Sequence, residues 1–525
     1  MSGIMAAPIV DEPAATVATS GPCPRPRGRV LDPLVIAVLA AVLSGAAAGR
    51  PSLWFDEGAT ISASASRSLT QLWRLLGHID AVHGLYYLLM HGWFAVFPPT
   101  EFWSRVPSAL AVGAAAAGVV VFTRQFSPRS TAVCAGIVFA MLPRVTWAGI
   151  EARPYALEAT AAVWLTVLFV VSARRNRPWL WLLYMLALML SILLSINLSL
   201  LVLVYAAAQP LLARGKSAVI WWAATSLAAL ALMAPFMVFA HSQVWQVKWI
   251  TTLRRNLFLD VVHRQYFDHS VPFAILAGVV ILVAITARLA GRASPVGDTR
   301  RLLIICVAWI VLPTGVILIY SAFGEPIYYP RYLILTAPAA AVVLAVCIVM
   351  IARKPWAVAG VLILFAAAAF PNYLFTQRGP YAKEGWDYSQ VADVVAAHAS
   401  PGDCLLVDNT VHWLPGPIRA LLATRPAAFA PLADVERGAY GPDHGTLWDG
   451  HVAVWLVLPR LDKCTKVWTI SSRDKTLPDH QSGGSLAPGP LLGHAPAYQF
   501  AGELGFHIVE RWQFHYSQVT KSVRG

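Results

Sequence analysis

Charge is what this chain has least of. Only 13% of its 525 residues are Asp, Glu, Lys or Arg, against roughly 25% in a soluble globular protein, which excludes an ordinary soluble domain. Period-two alternation is missing from the long hydrophobic stretches, so a closed β-barrel is excluded as well. No internal repeat of the kind that marks many transporters is visible. Acidic residues are nearly absent from the interiors of the apolar stretches, where a proton- or ion-coupled carrier would need them. The first 30 residues hold Asp11, Glu12 and several prolines and lack the pattern of a cleavable signal. They read as a disordered cytoplasmic tail, 1–30.

What is abundant is hydrophobicity, at 57% of the residues. Successive apolar runs of about 18–22 residues match a hydrocarbon core of about 30 Å. The expected fold class is a polytopic α-helical membrane protein with about 11 transmembrane helices. The net charge of +13 does not point to nucleic acid, because the basic residues collect in short loops between apolar runs. Cytoplasmic loops carry that bias. With the tail inside, the first span, about 31–49, leads to a long outer loop at about 50–103. Later inner loops carry Arg124 and Arg129, then Arg174, Arg175 and Arg177, then Arg214 and Lys216, then Arg288, Arg292, Arg300 and Arg301, and finally Arg353 and Lys354. A third span is expected at about 131–149, a hairpin turns at Ser195-Ile196-Asn197, and a last span, about 357–375, closes a transmembrane domain of 31–375. The expected location is the plasma membrane, with the N-terminus cytoplasmic and the C-terminal domain outside.

Residues 376–525 change character, with turn formers, charges and short apolar runs. Strands are expected at 403–407 and 452–457, helices at about 387–398 and 416–424, and a Pro/Gly loop at about 483–496. That is a small extracytoplasmic α/β domain. Of the six cysteines, Cys134, Cys306 and Cys347 lie in apolar spans as core residues and Cys23 lies in the tail. Cys404 and Cys464 are the two expected in an oxidising compartment, where a disulfide between them is the reading and two buried thiols the alternative.

Five polar features fall on the predicted outer side. The first is the acidic pair Asp56-Glu57, directly after Trp54-Phe55. A carboxylate there suits a general base or a cation site, the alternative being a solvated turn at a helix start. The second is Asp80, His83, Tyr87 and His91, which share one face if the segment is helical, with Tyr86 beside them. Gly84 weakens that helix, so its start would fall after it. The third is Glu151 with Arg153, read either as an ion pair or as a phosphate-binding arginine. The fourth is a cationic outer stretch at about 240–270, with Lys248, Arg254, Arg255, His263 and Arg264, suited to an anionic headgroup or to interfacial anchoring. The fifth is Arg331, framed by Tyr328, Tyr329 and Tyr332, in a position costly to fill without an anionic partner. No cofactor is required by this set. A divalent metal is the one it would suit, with Glu57, His83 and His91 as candidate ligands.

Taken in order, Trp54-Phe55-Asp56-Glu57, the Asp80–Tyr87 segment, Glu151-Ala152-Arg153-Pro154-Tyr155 and Pro330-Arg331-Tyr332 resemble the GT-C superfamily of membrane glycosyltransferases. The likeness is to the group of protein O-mannosyltransferases and lipid A aminoarabinose transferases, of actinobacterial type. The resemblance implies a catalytic first outer loop at 50–103, a variable C-terminal domain, and polyprenyl-phosphate sugars as donors. Asp56 would be the base and Glu57 an auxiliary acid. Arg153 and Arg331, with Arg254, Arg255 and His263, would hold the donor phosphate. Asp80, His83, Tyr86, Tyr87, Glu151 and Tyr329 would contact substrate. Mannose transfer to a glycolipid, glycan or protein acceptor is the expected activity. Arabinofuranose transfer is the alternative, and a lipid-linked sugar flippase is the alternative from another class. One departure is His83-Gly84-Leu85, where many relatives have His-Pro-Pro-Leu; it removes the ground for borrowing a metal or donor role for His83.

Overall fold

The computed structural model describes residues 28–213, 215–250, 256–292, 294–295, 298–408 and 419–525. Most of the expected tail, with Arg214, Arg254 and Arg255, lies outside the described residues. The chain is a polytopic α-helical membrane protein with a small C-terminal sheet domain. Helices α1 (Gly28–Gly45), α2 (Phe55–Ser64), α3 (Leu69–His78), α4 (Gly84–Phe94), α5 (Glu101–Arg124), α6 (Arg129–Met141), α7 (Pro143–Ala148), α8 (Tyr155–Arg175), α9 (Pro178–Leu194), α10 (Leu201–Leu212) and α11 (Lys216–Ser242) come first. Val271–Leu289, Thr299–Phe323, Ala337–Ile351 and Pro355–Pro371 follow.

Seven helical segments among the described residues are long and apolar enough to cross a bilayer, and four further apolar helices are shorter. Each expected span coincides with one of these segments except the third. That one breaks at Leu142-Pro143 into α6 and α7, because proline lacks the N–H that would continue the helix and disfavours helical geometry in the residue before it. The apolar helices leave outward faces of Leu227, Val238, Ile275, Leu282 and Ile363 exposed, a pattern that lipid covers and water would not. Inside, Ala and Gly let backbones approach closely. A Cβ on Gly113 of α5 would stand 2.6 Å from the Ala37 carbonyl oxygen of α1.

The loops sort to two ends. At one, Asp32 pairs with Arg124 and Arg129, and Arg353 donates to the Arg292 carbonyl. At the other, the first connecting loop folds over the bundle as α2, α3 and α4. A capping box between Ser68 and Gln71 starts α3. Asp80 takes a left-handed conformation (φ 59°) and Gly84 opens α4, so the helix begins at the glycine and not, as expected, after it, and Asp80 is outside it.

The C-terminal sheet has strands β1 (Cys404–Val407), β2 (Ala433–Asp434), β3 (Lys466–Ser472), β4 (His480–Leu486), β5 (Phe506–Gln513) and β6 (Ser517–Arg524) in the order β2-β1-β3-β6-β5-β4. β1 runs parallel to β2 and β3, and the rest are antiparallel. The helix Tyr388–His398 covers one face. The expected helix at 416–424 is present within the described residues as Arg419–Thr424. Two expectations need correction. The 452–457 run is a short 3-10 turn, Val454–Leu456, instead of a strand. Both sides of β1 are already paired, and Val454 and Val457 pack onto the sheet face beside Leu406 and Val467. The loop placed at 483–496 begins only after β4, which pairs with β5 through His480–Ser482 and again at Leu486, with Gly483 and Gly484 taken up in the bulge between them. Cys404 and Cys464 form the expected disulfide, with Cα atoms 6.0 Å apart.

Candidate active site

Helix α2 is held from both sides. On the bundle side, Glu57 has no exposed surface, and both of its oxygens accept from Arg105, at 2.7 and 2.6 Å. The same guanidinium donates to the carbonyls of Ala48, Pro51 and Ser52 at 2.6–2.9 Å. The Ala152 N–H adds a bond of 3.0 Å to Glu57. Glu57 therefore cannot reach a substrate or a metal, and the auxiliary role expected of it is replaced by anchoring of the helix. Trp54 donates from its indole to Glu151 at 2.6 Å, and the other Glu151 oxygen pairs with Lys383. Glu151 is fully buried as well. Burial pushes its carboxyl up to about 7, with the Lys383 ammonium pulling the other way.

On the opposite side, the C-terminal domain grips α2 and the loop around it. Phe55 packs on Trp386 and Trp448, with ring centroids 6.1 and 5.4 Å away. A Cβ on Gly58 would stand 2.8 Å from Thr424, so only glycine lets the two helices close. Ser62 donates to the Leu447 carbonyl, Arg67 to those of Thr446 and Leu447, and Arg425 pairs with Glu101.

Between these clamps stands Asp56, whose side chain is 17% exposed. Its Oδ2 accepts from Arg331 at 3.0 Å, and Oδ1 has no hydrogen bond among the described residues. Arg331 is 6% exposed and is ringed by Trp54, Tyr155, Trp249, Tyr329 and Tyr332, at 4.8–5.9 Å from its guanidinium carbon. Such cation–π contacts are worth about 0.5–2 kcal/mol each, and they fix the guanidinium while its Nε stays without a hydrogen-bond partner.

Behind Asp56, Arg153 donates to the Tyr87 hydroxyl (3.1 Å), to the Asp56 carbonyl (3.5 Å) and to His83 Nε2 (2.8 Å). Tyr87 in turn donates to Asp80 at 2.7 Å. An arginine has only donors, so Nε2 of His83 must accept and the ring proton is assigned to Nδ1. Loss of hydration, with Arg153 and Arg331 nearby, holds the His83 pKa well below its usual value, so the ring is neutral near pH 7. Burial raises the Asp80 carboxyl, opposed by Arg153 and by the Tyr87 hydrogen bond.

Asp80, His83, Tyr87 and Arg153 are thus brought together, but His91 is not: its Nδ1 meets the Ser64 carbonyl at 2.9 Å. Tyr86 is wholly buried in the bundle core. His263 sits in a π-turn, Asp260–Arg264, with its ring beside His269, and is absent from both cavities that flank Arg331. The residues expected as metal ligands have separate partners. Among the described residues no three His, Cys, Asp or Glu side chains converge on a cation site.

The segment 329–333 divides the two cavities. One, of about 460 Å3, is polar and lined by Tyr329, Arg331, Trp249, Trp147, Asp260 and Glu384 among others. The other, of about 480 Å3, is mostly apolar, with Tyr332, Leu333, Met237, Val238, Ile317 and Ile327 on its walls and His83, Tyr155 and Glu158 at its polar edge. Sequence reasoning missed Arg105, Lys383, Arg144 and Glu384. Arg105 was detectable as an arginine at the start of an apolar span, a position that demands a buried acid. Arg144, at the α6–α7 break, pairs with Asp268 at 2.9 Å. Lys383 and Glu384 carried no local signal.

No family model and no curated protein matches the sequence. Among solved structures, the chain is similar to ArnT from Cupriavidus metallidurans bound to undecaprenyl phosphate, at 13% identity and a TM-score of 0.48, over 93% of this chain and 97% of that one. It is also similar to the oligosaccharyltransferase of Archaeoglobus fulgidus tethered to an acceptor peptide, at 12% identity and a TM-score of 0.41, over 85% of this chain and 69% of that one. AglB from the same organism, in complex with an inhibitory peptide and a dolichol-phosphate, matches at 13% identity and a TM-score of 0.42, over 83% and 69%.

Proposed function

We propose that this protein is an inverting membrane glycosyltransferase that takes a sugar from a polyprenyl-phosphate donor, with mannose the first candidate sugar, on the extracytoplasmic face of the plasma membrane. The observation that carries the reading is the Asp56–Arg331 pair. A part-exposed carboxylate is paired with a caged guanidinium, and that guanidinium stands on the segment, 329–333, that divides the polar cavity from the apolar one.

The apolar cavity suits the isoprenoid chain near its phosphate. Arg331 and Arg153 are the cations for that phosphate, and the His83 Nδ1–H, which has no hydrogen-bond partner, is a further donor at the cavity edge. Asp56 Oδ1 accepts the proton of an acceptor hydroxyl as its oxygen bonds to the anomeric carbon. The bond from that carbon to the phosphate oxygen breaks, and its electron pair leaves with polyprenyl phosphate. The phosphodiester monoanion becomes a monoester dianion, so negative charge grows beside Arg331. Backside displacement inverts the anomeric configuration. Glu57 and Glu151 position Asp56 and Trp54 and do not touch the reacting atoms. With the first span exiting outward, both cavities and the C-terminal domain, proposed as 376–525, lie outside the cytoplasm.

Asp56→Asn keeps the shape and removes the base. Reconstituted with polyprenyl-phosphate mannose and a membrane-envelope extract as acceptor source, it is expected to lose sugar transfer by about 100-fold or more. Full transfer by Asp56→Asn would overturn the assignment.

A further inference from the structure

We infer that the polar cavity beside Arg331 is the acceptor subsite and that it takes the end of a carbohydrate chain. The inference deepens the glycosyltransferase reading and rests on Asp56 as the base. Its volume of about 460 Å3 lies within the roughly 300–1,000 Å3 range of small-ligand pockets. What fills it must fit the chemistry of its walls. Trp249 is 52% exposed, and its ring meets Tyr329 edge-on, with centroids 5.2 Å apart. A half-bared tryptophan on a cavity wall offers a flat apolar face. Around it stand acceptors and donors together: Asp260, Asp268 and Glu384 with Arg144 and Arg264. A sugar ring has that same division, with C–H groups on its faces and hydroxyls at its rim. A lipid tail would leave these charges facing hydrocarbon, which is costly.

Glu384 is the most telling of these groups. Its backbone is left-handed (φ 54°), unusual for a side chain other than Gly, Asn or Asp. The Tyr516 hydroxyl donates to its carbonyl at 3.1 Å, and Lys383 before it is anchored on Glu151. The turn therefore sends successive side chains to opposite destinations, Lys383 inward and Glu384 to the cavity. The Glu384 carboxylate is 62% exposed, and among the described residues its nearest cation is Arg331, 4.0 Å away. Strained backbone of this kind collects where a group must be placed for binding.

Position agrees with chemistry. Backside displacement needs the nucleophile and the leaving phosphate on opposite sides of the anomeric carbon. Tyr329 and Arg331 face the polar cavity, whereas Tyr332 and Leu333 face the apolar one. An acceptor entering by the polar cavity thus meets the donor from the side away from its lipid.

The test uses full-length protein in lipid nanodiscs on an array of neutral oligosaccharides, unglycosylated peptides and phospholipids. Wild type and Asp56→Asn are expected to bind the same oligosaccharides. Trp249→Ala is expected to lose about tenfold or more in affinity, equivalent to about 1.4 kcal/mol. Glu384→Gln is a second, surface-exposed variant and is expected to weaken the same spots. With a captured oligosaccharide as acceptor, Trp249→Ala should raise KM for the acceptor by more than it raises KM for the donor, whose cation Arg331 loses one of its five aromatic neighbours. The proposal is overturned by binding to peptide or phospholipid spots alone, by no binding at all, by full oligosaccharide affinity in both variants, or by a rise confined to the donor KM, which would assign the cavity to the donor's sugar. Transfer retained by Asp56→Asn would refute the base and leave the array result standing, so the two failures are distinguishable.

Discussion

Glu57→Gln is the substitution that separates the two adjacent acids. The pair it breaks is entirely dry: Glu57 and Arg105 have no exposed side-chain surface and meet at 2.6 Å. Glutamine keeps the volume and one acceptor oxygen but leaves a buried guanidinium without its counter-charge. Removing one partner of such a pair costs about 3–5 kcal/mol, a large share of a typical stability of about 5–15 kcal/mol. The expected result is a marked fall in thermal midpoint and in the fraction of folded protein, followed by intrinsic fluorescence in nanodiscs. Transfer per folded molecule should fall far less than in Asp56→Asn. Arg105→Met strips the donors from the Ala48, Pro51 and Ser52 carbonyls as well. The double variant should nevertheless be less destabilised than the two single losses added together, by about 1–3 kcal/mol. If Glu57→Gln melts like wild type yet turns over a hundredfold more slowly at unchanged KM, the anchoring argument is wrong and Glu57 acts on the reacting atoms.

Trp54→Phe leaves one oxygen of the buried Glu151 without its donor and removes one wall of the Arg331 cage, so a loss of about 1–3 kcal/mol in stability is expected together with a raised KM for the donor, read from thermal melts and initial rates. Opening the disulfide by Cys404→Ser/Cys464→Ser frees a closure of 60 residues, for which chain entropy gives about 4 kcal/mol; limited proteolysis should find the C-terminal domain cleaved sooner while the bundle stays intact. Burial pushes the Glu436 carboxyl up to about 8 from an ordinary 4.5, opposed by the Val407 N–H and Arg419. The folded chain therefore holds a proton that the unfolded chain has released between those values, and stability falls as pH rises from 4.5 to 8. Glu436→Gln should remove that slope, on the order of a few kcal/mol across the window, in melts of the full chain at pH 5 and pH 8.

The parts of the fold that depend on one-dimensional patterns were legible in advance. Apolar runs placed the helices of the bundle, and the odd cation Arg331 and the pair Asp56-Glu57 stood out because charge is so rare. The chemistry of Glu57 was not legible, because adjacency hides direction. Consecutive residues on a helix point about 100° apart, so Asp56 faces Arg331 while Glu57 faces Arg105. Likewise Asp80, His83, Tyr87 and His91 share a face only on an unbroken helix, and the left-handed Asp80 ends that continuity. Lys383 was invisible for another reason. Its partner is 232 residues away, and no local pattern reports a contact of that span.

That separation also sets an order of events. Glu151 is synthesised early, and Lys383 only after the last apolar helix, Pro355–Pro371. At roughly 5–20 residues per second, the nascent chain carries Glu151 for tens of seconds before its counter-ion exists. Until then the Trp54 indole is the one side-chain donor that the Glu151 carboxylate has among the described residues. The loop that carries Asp56 is made early and its support is completed late, so a chain cut short between residues 371 and 383 keeps every apolar helix of the bundle but leaves the buried Glu151 without its counter-ion.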